Sequence, residues 1–297
     1  MSFYESWLGE IVLLCIVILL ATLINYVKSR LEEHERSKSL AKLRSELFPF
    51  RLVDMPIAAD LSREANYYKI LKLCPKMPTC AELIYLLKYK KFVDSPYVSS
   101  MCDIKEVDQM EFLVKAVIND KIQGAIVETG SYKGGMMAFT KGILRLYEPS
   151  ARRQVYLFDT FKHFPKSDRH AKDQAIHPLV EFLFESMWSA DQVMANFEKY
   201  DLLDDDVHLV EGLFEDTVPK TYIGPIAILR LDSDYYESTM LVLENYYWHV
   251  VKSGFVIIDD WNNPFLGCKD AVIEFRSRHG ITNEIIDDHK GSVYWTK

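Results

Sequence analysis

The stretch IAILRLDSDYYESTM, residues Ile226–Met240, decides the fold. Its opening apolar run predicts a buried strand, because strands covered on both faces have near-continuous apolar sequence. The run ends in Asp232 and Asp234, and helix-compatible sequence follows. A strand that delivers carboxylates and then leads into a helix is typical of an open parallel α/β sheet, which binds ligands at the carboxyl ends of its strands.

A second strand of the same kind follows at Gly254–Trp261, which reads GFVIIDDW and ends in Asp259 and Asp260. Parallel strands present their carboxyl ends at one edge, so these acids are expected to lie close to Asp232 and Asp234. Close carboxylates repel one another unless a cation lies between them. The two strands therefore predict a divalent-cation site.

The composition narrows the class of protein. The 297 residues are 49% hydrophobic, which is ample for a packed core, and the formal net charge is −8. An acidic chain without a basic face argues against nucleic acid as a partner. Five scattered cysteines do not suggest a disulfide framework, and there is no Asn-x-Ser/Thr sequon, so a reducing compartment is expected.

The N-terminal segment Ile11–Val27 carries no charge and would span about 25 Å as a helix. It predicts a transmembrane helix between a short tail (1–10) and a helical stalk (28–48). The leader is acidic, which disfavours a cleaved signal peptide. Basic residues follow the segment and none precedes it, so the sequence predicts a single-pass membrane protein whose C-terminal part faces the cytosol.

Two further regions complete the predicted domain organisation. Residues 49–103 contain amphipathic stretches separated by prolines and predict a helical cap. The core domain spans 104–297 and is predicted to begin with a helix over Lys105–Asn119.

The strongest local signal in the core is Gly124–Gly135, GAIVETGSYKGG. It predicts a strand that ends at Glu128, a turn at Gly130, and a glycine pair that opens a helix. The spacing of Gly130 and Gly134 differs from the dinucleotide fingerprint Gly-x-Gly-x-x-Gly, so a pyrophosphate loop is not expected. A Glu-x-Gly turn of this form resembles the first motif of S-adenosylmethionine-dependent methyltransferases, and the alternative is a purely structural turn.

The next strand, Gln154–Thr160, ends in Asp159, which is suited either to hold ribose hydroxyls or to cap a turn. A polar connection follows over Lys162–His177, with no helical pattern until about Leu179. Long connections of this kind are usually lids or binding loops. Its histidines are His163, His170 and His177.

The rest of the core alternates strands with helices, so the fold class is α/β with a doubly wound, mostly parallel sheet. Ser189 and Gln192 have the spacing of a capping box. The predicted elements are a helix over Ser189–Tyr200, a strand over Val207–Val210, helices over about Ser238–Val251 and Cys268–Arg278, and a closing antiparallel pair at Thr282–Ile286 and Ser292–Thr296.

With these pieces in order, residues 110–297 resemble the macrocin O-methyltransferase family, whose members methylate sugar hydroxyls in antibiotic biosynthesis. The resemblance is carried by VETGSYKGG, FDTFKHFP, LLDDDVHLVEGLFEDTVP, LRLDSDYYEST, VIIDDW, GCKDAVIEFRSRHGI and the terminal VYW. It implies a Rossmann-like class I methyltransferase fold with S-adenosylmethionine and a divalent metal, usually Mg²⁺. His163 and Ser233 stand where the family usually has glycine.

The resemblance also implies roles for individual residues. It places Asp232, Asp259 and Asp260 at the metal. The proton acceptor is left open between Asp232, Asp234 and His170. The implied cofactor-binding residues are Glu128, Thr129, Gly130, Ser131, Gly134, Asp159, Thr160, Gly212, Glu215, Asp216 and Thr217.

The sequence thus predicts a metal-dependent O-methyltransferase acting on a sugar-like or other small or lipid-linked hydroxyl acceptor, with the oligomeric state left open. Two alternatives remain at this stage. Asp232-Ser233-Asp234 also matches the Asp-x-Asp of a membrane-anchored, metal-dependent glycosyltransferase. The chain could also be a catalytically inactive membrane scaffold that keeps a methyltransferase fold.

Overall fold

The computed structural model describes residues 2–48, 100, 102, 104–166, 170–184, 189–287 and 291–297. Two compact units are present, Met1–Lys42 and Leu43–Lys297. The predicted helical cap lies outside the described residues, apart from Ser100 and Cys102. The division of the chain into tail, stalk, cap and core therefore stays a prediction.

Helix α1, Ser2–Leu47, supplies the first unit and reaches into the second. None of the helices in the described part of the chain is both long and apolar enough to cross a membrane. The predictions of a transmembrane helix and of a single-pass, cytosol-facing protein are therefore wrong. The apolar run Ile11–Val27 continues within one helix into the charged residues 28–47.

The second unit is built on a seven-stranded sheet with the strand order β3-β2-β1-β4-β5-β7-β6. The first five strands are parallel, and β7 runs antiparallel to both β5 and β6. The strands are β1 (Ala125–Thr129), β2 (Val155–Asp159), β3 (Val207–Glu211), β4 (Ile226–Leu231), β5 (Val250–Ile258), β6 (Ile286–Asp287) and β7 (Val293–Thr296). The predicted α/β class with a mostly parallel sheet is confirmed.

Helices flank this sheet, as crossover connections between parallel strands require. They are α2 (Ile104–Asn119), α3 (Gly135–Tyr147), α4 (Ala171–Leu183), α5 (Ala190–Lys199), the short α6 (Phe214–Thr217), α7 (Tyr236–Tyr246) and α8 (Cys268–Arg278). The predicted capping box is present at α5, where Ser189 accepts from the backbone N–H of Gln192 at 3.3 Å and Gln192 accepts from that of Ser189 at 3.0 Å.

The core lies on both faces of the central strands. Strands β1 and β4 are buried at every position, which explains their near-continuous apolar sequence. Trp295 of β7, Tyr247 and Phe275 of α8 extend the core toward the antiparallel end of the sheet. The carboxyl ends of β1, β2, β4 and β5 meet at one edge, as their parallel pairing requires.

The predicted helix over Ser238–Val251 is too long at its carboxyl end. Helix α7 ends at Tyr246, a 3-10 turn covers Tyr247–His249, and β5 begins at Val250. Val250 pairs with Ile226 in the sheet, and two successive β-branched valines favour the extended conformation.

The polar connection after β2 is shorter than predicted, because helix α4 already begins at Ala171 and includes His177. Pro178 lies inside this helix. Proline usually marks a helix boundary, since it lacks an N–H group and clashes with the preceding turn. For this reason the sequence pattern does not predict a helix that continues through Pro178.

Candidate active site

Strands β1 and β4 converge at Gly130. The backbone N–H of Asp232 donates to the carbonyl of Thr129 at 2.9 Å, and that of Gly130 donates to the carbonyl of Phe158 at 2.8 Å. Gly130 has a φ of +89°, and a Cβ there would lie 1.8 Å from the carbonyl oxygen of Asp232. The turn at residues 130–134, which follows the strand of Glu128, is called the Glu128 turn. Only glycine at its first position lets it pass this close to the Asp232 backbone.

Non-glycine residues with left-handed backbone recur at the same edge. Among the described residues, Tyr132, Phe161, Asp234 and Asp260 follow the ends of β1, β2, β4 and β5, with φ values of 48°, 50°, 59° and 52°. Such conformations persist only where the surrounding structure holds them, and they cluster at functional sites. The strain marks this edge of the sheet as the site.

Three carboxylates gather after β4 and β5. Asp232, Asp234 and Asp260 each offer an oxygen, and these oxygens all lie within 4.8 Å of one another. The side chains retain some surface exposure, but enough protein encloses them for burial to raise the pKa of Asp232 and Asp234 well above the usual range. Burial and the charge of Asp259 raise the pKa of Asp260 to about 6. The group therefore favours either protons or a cation.

Asp259, the remaining member of the predicted metal set, makes a different contact. It is buried and pairs with the guanidinium of Arg230. The same guanidinium lies 2.8 Å from Glu128 and 2.7 Å from Asp232. Its Nη2 also lies 3.3 Å from Sγ of Cys102. The structure thus brings Asp232 and Asp260 together with Asp234, and holds Asp259 beside Arg230.

Glu128 is the penultimate residue of β1, which ends one residue later than the sequence predicts, and it is 1% exposed. Burial raises its pKa to about 7, although the charge of Arg230 acts in the opposite direction. One carboxylate oxygen, Oε2, is buried and has no hydrogen-bond partner in the described part of the chain. A buried acceptor left unsatisfied is costly, so this oxygen is suited to bind a donor from a ligand.

Asp159 at the end of β2 holds the turn that follows β1. Its Oδ2 accepts from the backbone N–H of Ser131 at 2.7 Å and of Tyr132 at 3.0 Å, while Oδ1 accepts from that of Phe161 at 3.0 Å. Thr160, next in the chain, donates its hydroxyl to the carbonyl of His163 at 2.6 Å. These contacts match the turn-capping interpretation of Asp159, and a contact with ribose stays a prediction.

The remaining predicted cofactor residues follow β3. Gly212 donates its backbone N–H to the carbonyl of Asp159 at 2.9 Å, which places it at the same edge of the sheet. Glu215 and Asp216 are exposed on α6. The hydroxyl of Thr217 donates to the carbonyl of Leu213 within its own helix at 2.9 Å.

His170, predicted as a candidate proton acceptor, lies at the start of α4 outside the carboxylate group. Its ring stacks on Tyr236 with centroids 4.6 Å apart, and its Nε2 lies 3.7 Å from Asp270. His177 lies further along the same helix, and its Nδ1 is 3.0 Å from the hydroxyl of Tyr235. Helix α4 therefore docks against the two tyrosines that follow Asp234.

Sequence reasoning missed Asp173, which fixes this docking. Asp173 is 0% exposed and accepts the backbone N–H of Tyr236 at 2.7 Å and of Gly267 at 3.0 Å. A Cβ on Gly267 would lie 2.6 Å from Oδ1 of Asp173. The side chain thus joins α4 to the loops after β4 and before α8, and nothing in the local sequence signals this role.

Replacing Asp173 with asparagine is expected to lower the free energy of unfolding by about 2 kcal/mol. Asparagine has one uncharged acceptor oxygen in place of two charged ones, so one of the two backbone N–H groups loses its acceptor and the other keeps only a neutral one. Urea denaturation measures the loss. The control is Asp191→Asn, a change at an exposed residue in the first turn of α5. Equal effects of the two changes would contradict this account of Asp173.

Sequence reasoning also gave no role to Arg230, although the signal was present. It is the charged residue within the otherwise apolar strand IAILRL. A charge is rarely buried unless it is paired, so an arginine inside a predicted central strand points to acidic partners on neighbouring strands.

Known proteins resemble this chain over the same region. The family model described as Macrocin-O-methyltransferase (TylF) matches residues 88–297. A Streptomyces olivaceus protein, 8-demethyl-8-(2,3-dimethoxy-alpha-L-rhamnosyl)-tetracenomycin-C 4'-O-methyltransferase, is 39% identical over 68% of this chain and 77% of its own. Mycinamicin III 3''-O-methyltransferase of Micromonospora griseorubida is 37% identical over 69% of this chain and 81% of its own.

A solved structure, that of the O-methyltransferase NovP, agrees with the fold. It has 37% sequence identity, a TM-score of 0.62, and covers 67% of this chain and 82% of NovP. These matches decide against the glycosyltransferase and inactive-scaffold alternatives. The chain belongs to the macrocin O-methyltransferase family and is an S-adenosylmethionine-dependent O-methyltransferase.

Proposed function

We propose that this enzyme transfers a methyl group from S-adenosylmethionine to a sugar hydroxyl and that the transfer depends on a divalent cation. The observation that carries the proposal is the group Asp232, Asp234 and Asp260, whose oxygens lie within 4.8 Å of one another at the edge where the Glu128 turn also lies. A methyl donor bound at the end of β1 and a cation bound at the ends of β4 and β5 would lie on either side of one acceptor hydroxyl.

The cofactor residues are proposed from the sequence, and the position of Glu128 supports the proposal. The unpartnered Oε2 of Glu128 suits the ammonium group of the methionine moiety. The turn over Gly130 and Ser131 follows the end of β1, and the backbone N–H of Gly134 closes it by donating to the carbonyl of Ser131 at 2.8 Å before α3 begins. We assign the cofactor-binding role to Glu128, Thr129, Gly130, Ser131, Gly134, Asp159, Thr160, Gly212, Glu215, Asp216 and Thr217.

The residues also fit a hard divalent cation such as Mg²⁺, which prefers carboxylate oxygens. Oδ1 of Asp259 is buried without a hydrogen-bond partner, and carboxylates crowd next to it. We propose Asp232, Asp259 and Asp260 as ligands. When bound, the cation would offset the repulsion among these acids and lower the pKa of the acceptor hydroxyl.

Asp234 is the proton acceptor that this arrangement favours. Burial and the neighbouring charges of Asp260 and Asp232 raise its pKa, which brings the carboxylate closer to the basicity that general-base catalysis needs near neutral pH. Its left-handed backbone holds it beside the proposed ligands. His170 lies against Tyr236 and suits a role in positioning helix α4.

A sugar acceptor is supported by the relatives. One is named for a rhamnosyl-tetracenomycin and the 4' oxygen, and another for the 3'' oxygen of mycinamicin III. The names of these relatives do not address a lipid-linked acceptor, which stays a prediction.

The test has two parts. Calorimetry with S-adenosylmethionine should show saturable binding, and radiolabelled cofactor should label a simple glycoside such as methyl α-L-rhamnopyranoside in the presence of Mg²⁺ but not of EDTA. Absence of detectable heat at millimolar cofactor would contradict the proposal. Labelling that is unaffected by EDTA would contradict its metal dependence.

Cation binding is expected to tighten by at least about fivefold between pH 5.5 and pH 7.5. The pKa of Asp260 is raised to about 6 and that of Asp232 is also raised, so the free protein holds protons at low pH that the cation must displace. Calorimetric titration with Mn²⁺ in two buffers of different ionisation enthalpy measures both the affinity and the proton release. A pH-independent affinity without proton release would contradict the assignment.

A further inference from the structure

We propose that Arg230 is a positioning residue that couples the cofactor site to the cation site. The inference rests on the proposed function and adds a part to it. Arg230 occupies the penultimate position of β4 and lies directly opposite Glu128 of β1 in the sheet register. Its side chain is 3% exposed and is surrounded by the acids of both sites.

The guanidinium donates hydrogen bonds to one oxygen of each of three carboxylates. Nη1 donates to Oε1 of Glu128 at 2.8 Å and to Oδ2 of Asp232 at 2.7 Å. Nη2 donates to Oδ2 of Asp259. One side chain therefore fixes the carboxylate proposed for the cofactor ammonium and two carboxylates proposed for the cation.

Arg230 binds only one oxygen of Glu128 and one oxygen of Asp259, and the second oxygen of each differs in its surroundings. Oε2 of Glu128 and Oδ1 of Asp259 are buried, and neither has a hydrogen-bond partner among the described residues. A folded protein rarely leaves such acceptors unsatisfied, since each carries a desolvation cost. We infer that Arg230 turns each carboxylate so that its second oxygen faces a ligand.

An arginine suits this task and a lysine does not. The guanidinium is planar and offers several donors in fixed directions, so it can bind three carboxylates at once and hold each in one orientation. A lysine ammonium carries the same charge on a single nitrogen. Three carboxylates against one guanidinium also leave net negative charge for the two cationic ligands.

A shared guanidinium predicts that the two ligands bind cooperatively. When one ligand satisfies its carboxylate, the position of Arg230 is fixed for the other, and thermodynamic reciprocity then requires each ligand to tighten the other by the same factor. In the unchanged protein, saturating Mg²⁺ is expected to raise the affinity for S-adenosylmethionine by about fivefold or more.

The experiment is calorimetric titration of S-adenosylmethionine with and without Mg²⁺, and of Mg²⁺ alone, in the unchanged protein and in Arg230→Lys. The variant is expected to bind Mg²⁺ on the order of tenfold more weakly and to lose the cooperativity. The matched control is Arg153→Lys, another buried arginine, which binds Glu148 and two backbone carbonyls away from the site. The control should keep the cooperativity.

Each outcome decides the inference. Cooperativity that persists in a folded Arg230→Lys protein overturns it. If that variant does not fold, Glu128→Gln decides, because Glu128 is not a proposed cation ligand, yet its loss should weaken Mg²⁺ binding through Arg230; unchanged Mg²⁺ affinity overturns the inference. If the unchanged protein binds neither ligand, the proposed function fails. If it binds both without cooperativity, only the coupling fails.

Discussion

Replacing Gly130 with alanine is expected to destabilise the protein by about 4 kcal/mol or more and to abolish cofactor binding. The new Cβ would lie 1.8 Å from the carbonyl oxygen and 2.7 Å from the carbonyl carbon of Asp232. Both atoms belong to the backbone, so no side-chain rotation relieves the clash. The ends of β1 and β4 would have to separate, and the Glu128 turn would move away from Asp232.

The matched control is Gly224→Ala. Gly224 has a φ of +80°, close to that of Gly130, but a Cβ there would meet no heavy atom within 4 Å. Its replacement should therefore cost only the left-handed backbone conformation, about 1 kcal/mol. Urea denaturation of both variants separates the backbone term from the steric term. Equal losses would show that the close approach of the two strand ends does not limit this position.

Replacing Asp260 with asparagine is expected to lower kcat by about a thousandfold and to remove measurable cation binding. The same change should leave the melting temperature of the metal-free protein unchanged or higher. Asp260 lies among carboxylates that repel one another, and a neutral amide removes part of that repulsion. A loss of activity together with retained stability distinguishes a ligand from a structural residue.

Asp205→Asn is the control for this change, because Asp205 is a loop carboxylate that is 95% exposed. Steady-state kinetics, calorimetry with Mn²⁺ and thermal denaturation should be run on both variants. An Asp260→Asn protein that still binds the cation with the original affinity would rule out Asp260 as a ligand. A melting temperature that falls by several degrees would instead assign it a structural role.

Much of the fold could be predicted because it depends on local pattern. The apolar runs of β1, β4 and β5, the glycine turn at Gly130 and the capping box at Ser189 are short-range signals, and the structure has each of them. The errors also have local causes. Pro178 makes the start of helix α4 hard to predict, and the apolar run of α1 has the local pattern of a membrane span.

For the candidate site, the sequence predicts which residues gather but not the contacts that each one makes. The sequence by itself indicated two apolar strands that each end in acids, and it predicted that Asp232, Asp234, Asp259 and Asp260 lie at one edge, because parallel strands present their carboxyl ends on the same side of a sheet. Only the tertiary structure decided how each acid is used, since this depends on side chains that are distant in the chain.

Arg230 and Asp173 illustrate the difference. Arg230 meets Glu128 across 102 residues of sequence, and Asp173 meets Gly267 across 94. Charges buried this far apart in the chain find their partners only when the strands have paired and the helices have docked. The sequence therefore determined which chemistry gathers at the sheet edge, and the packing decided which oxygen of each carboxylate remains free for a ligand.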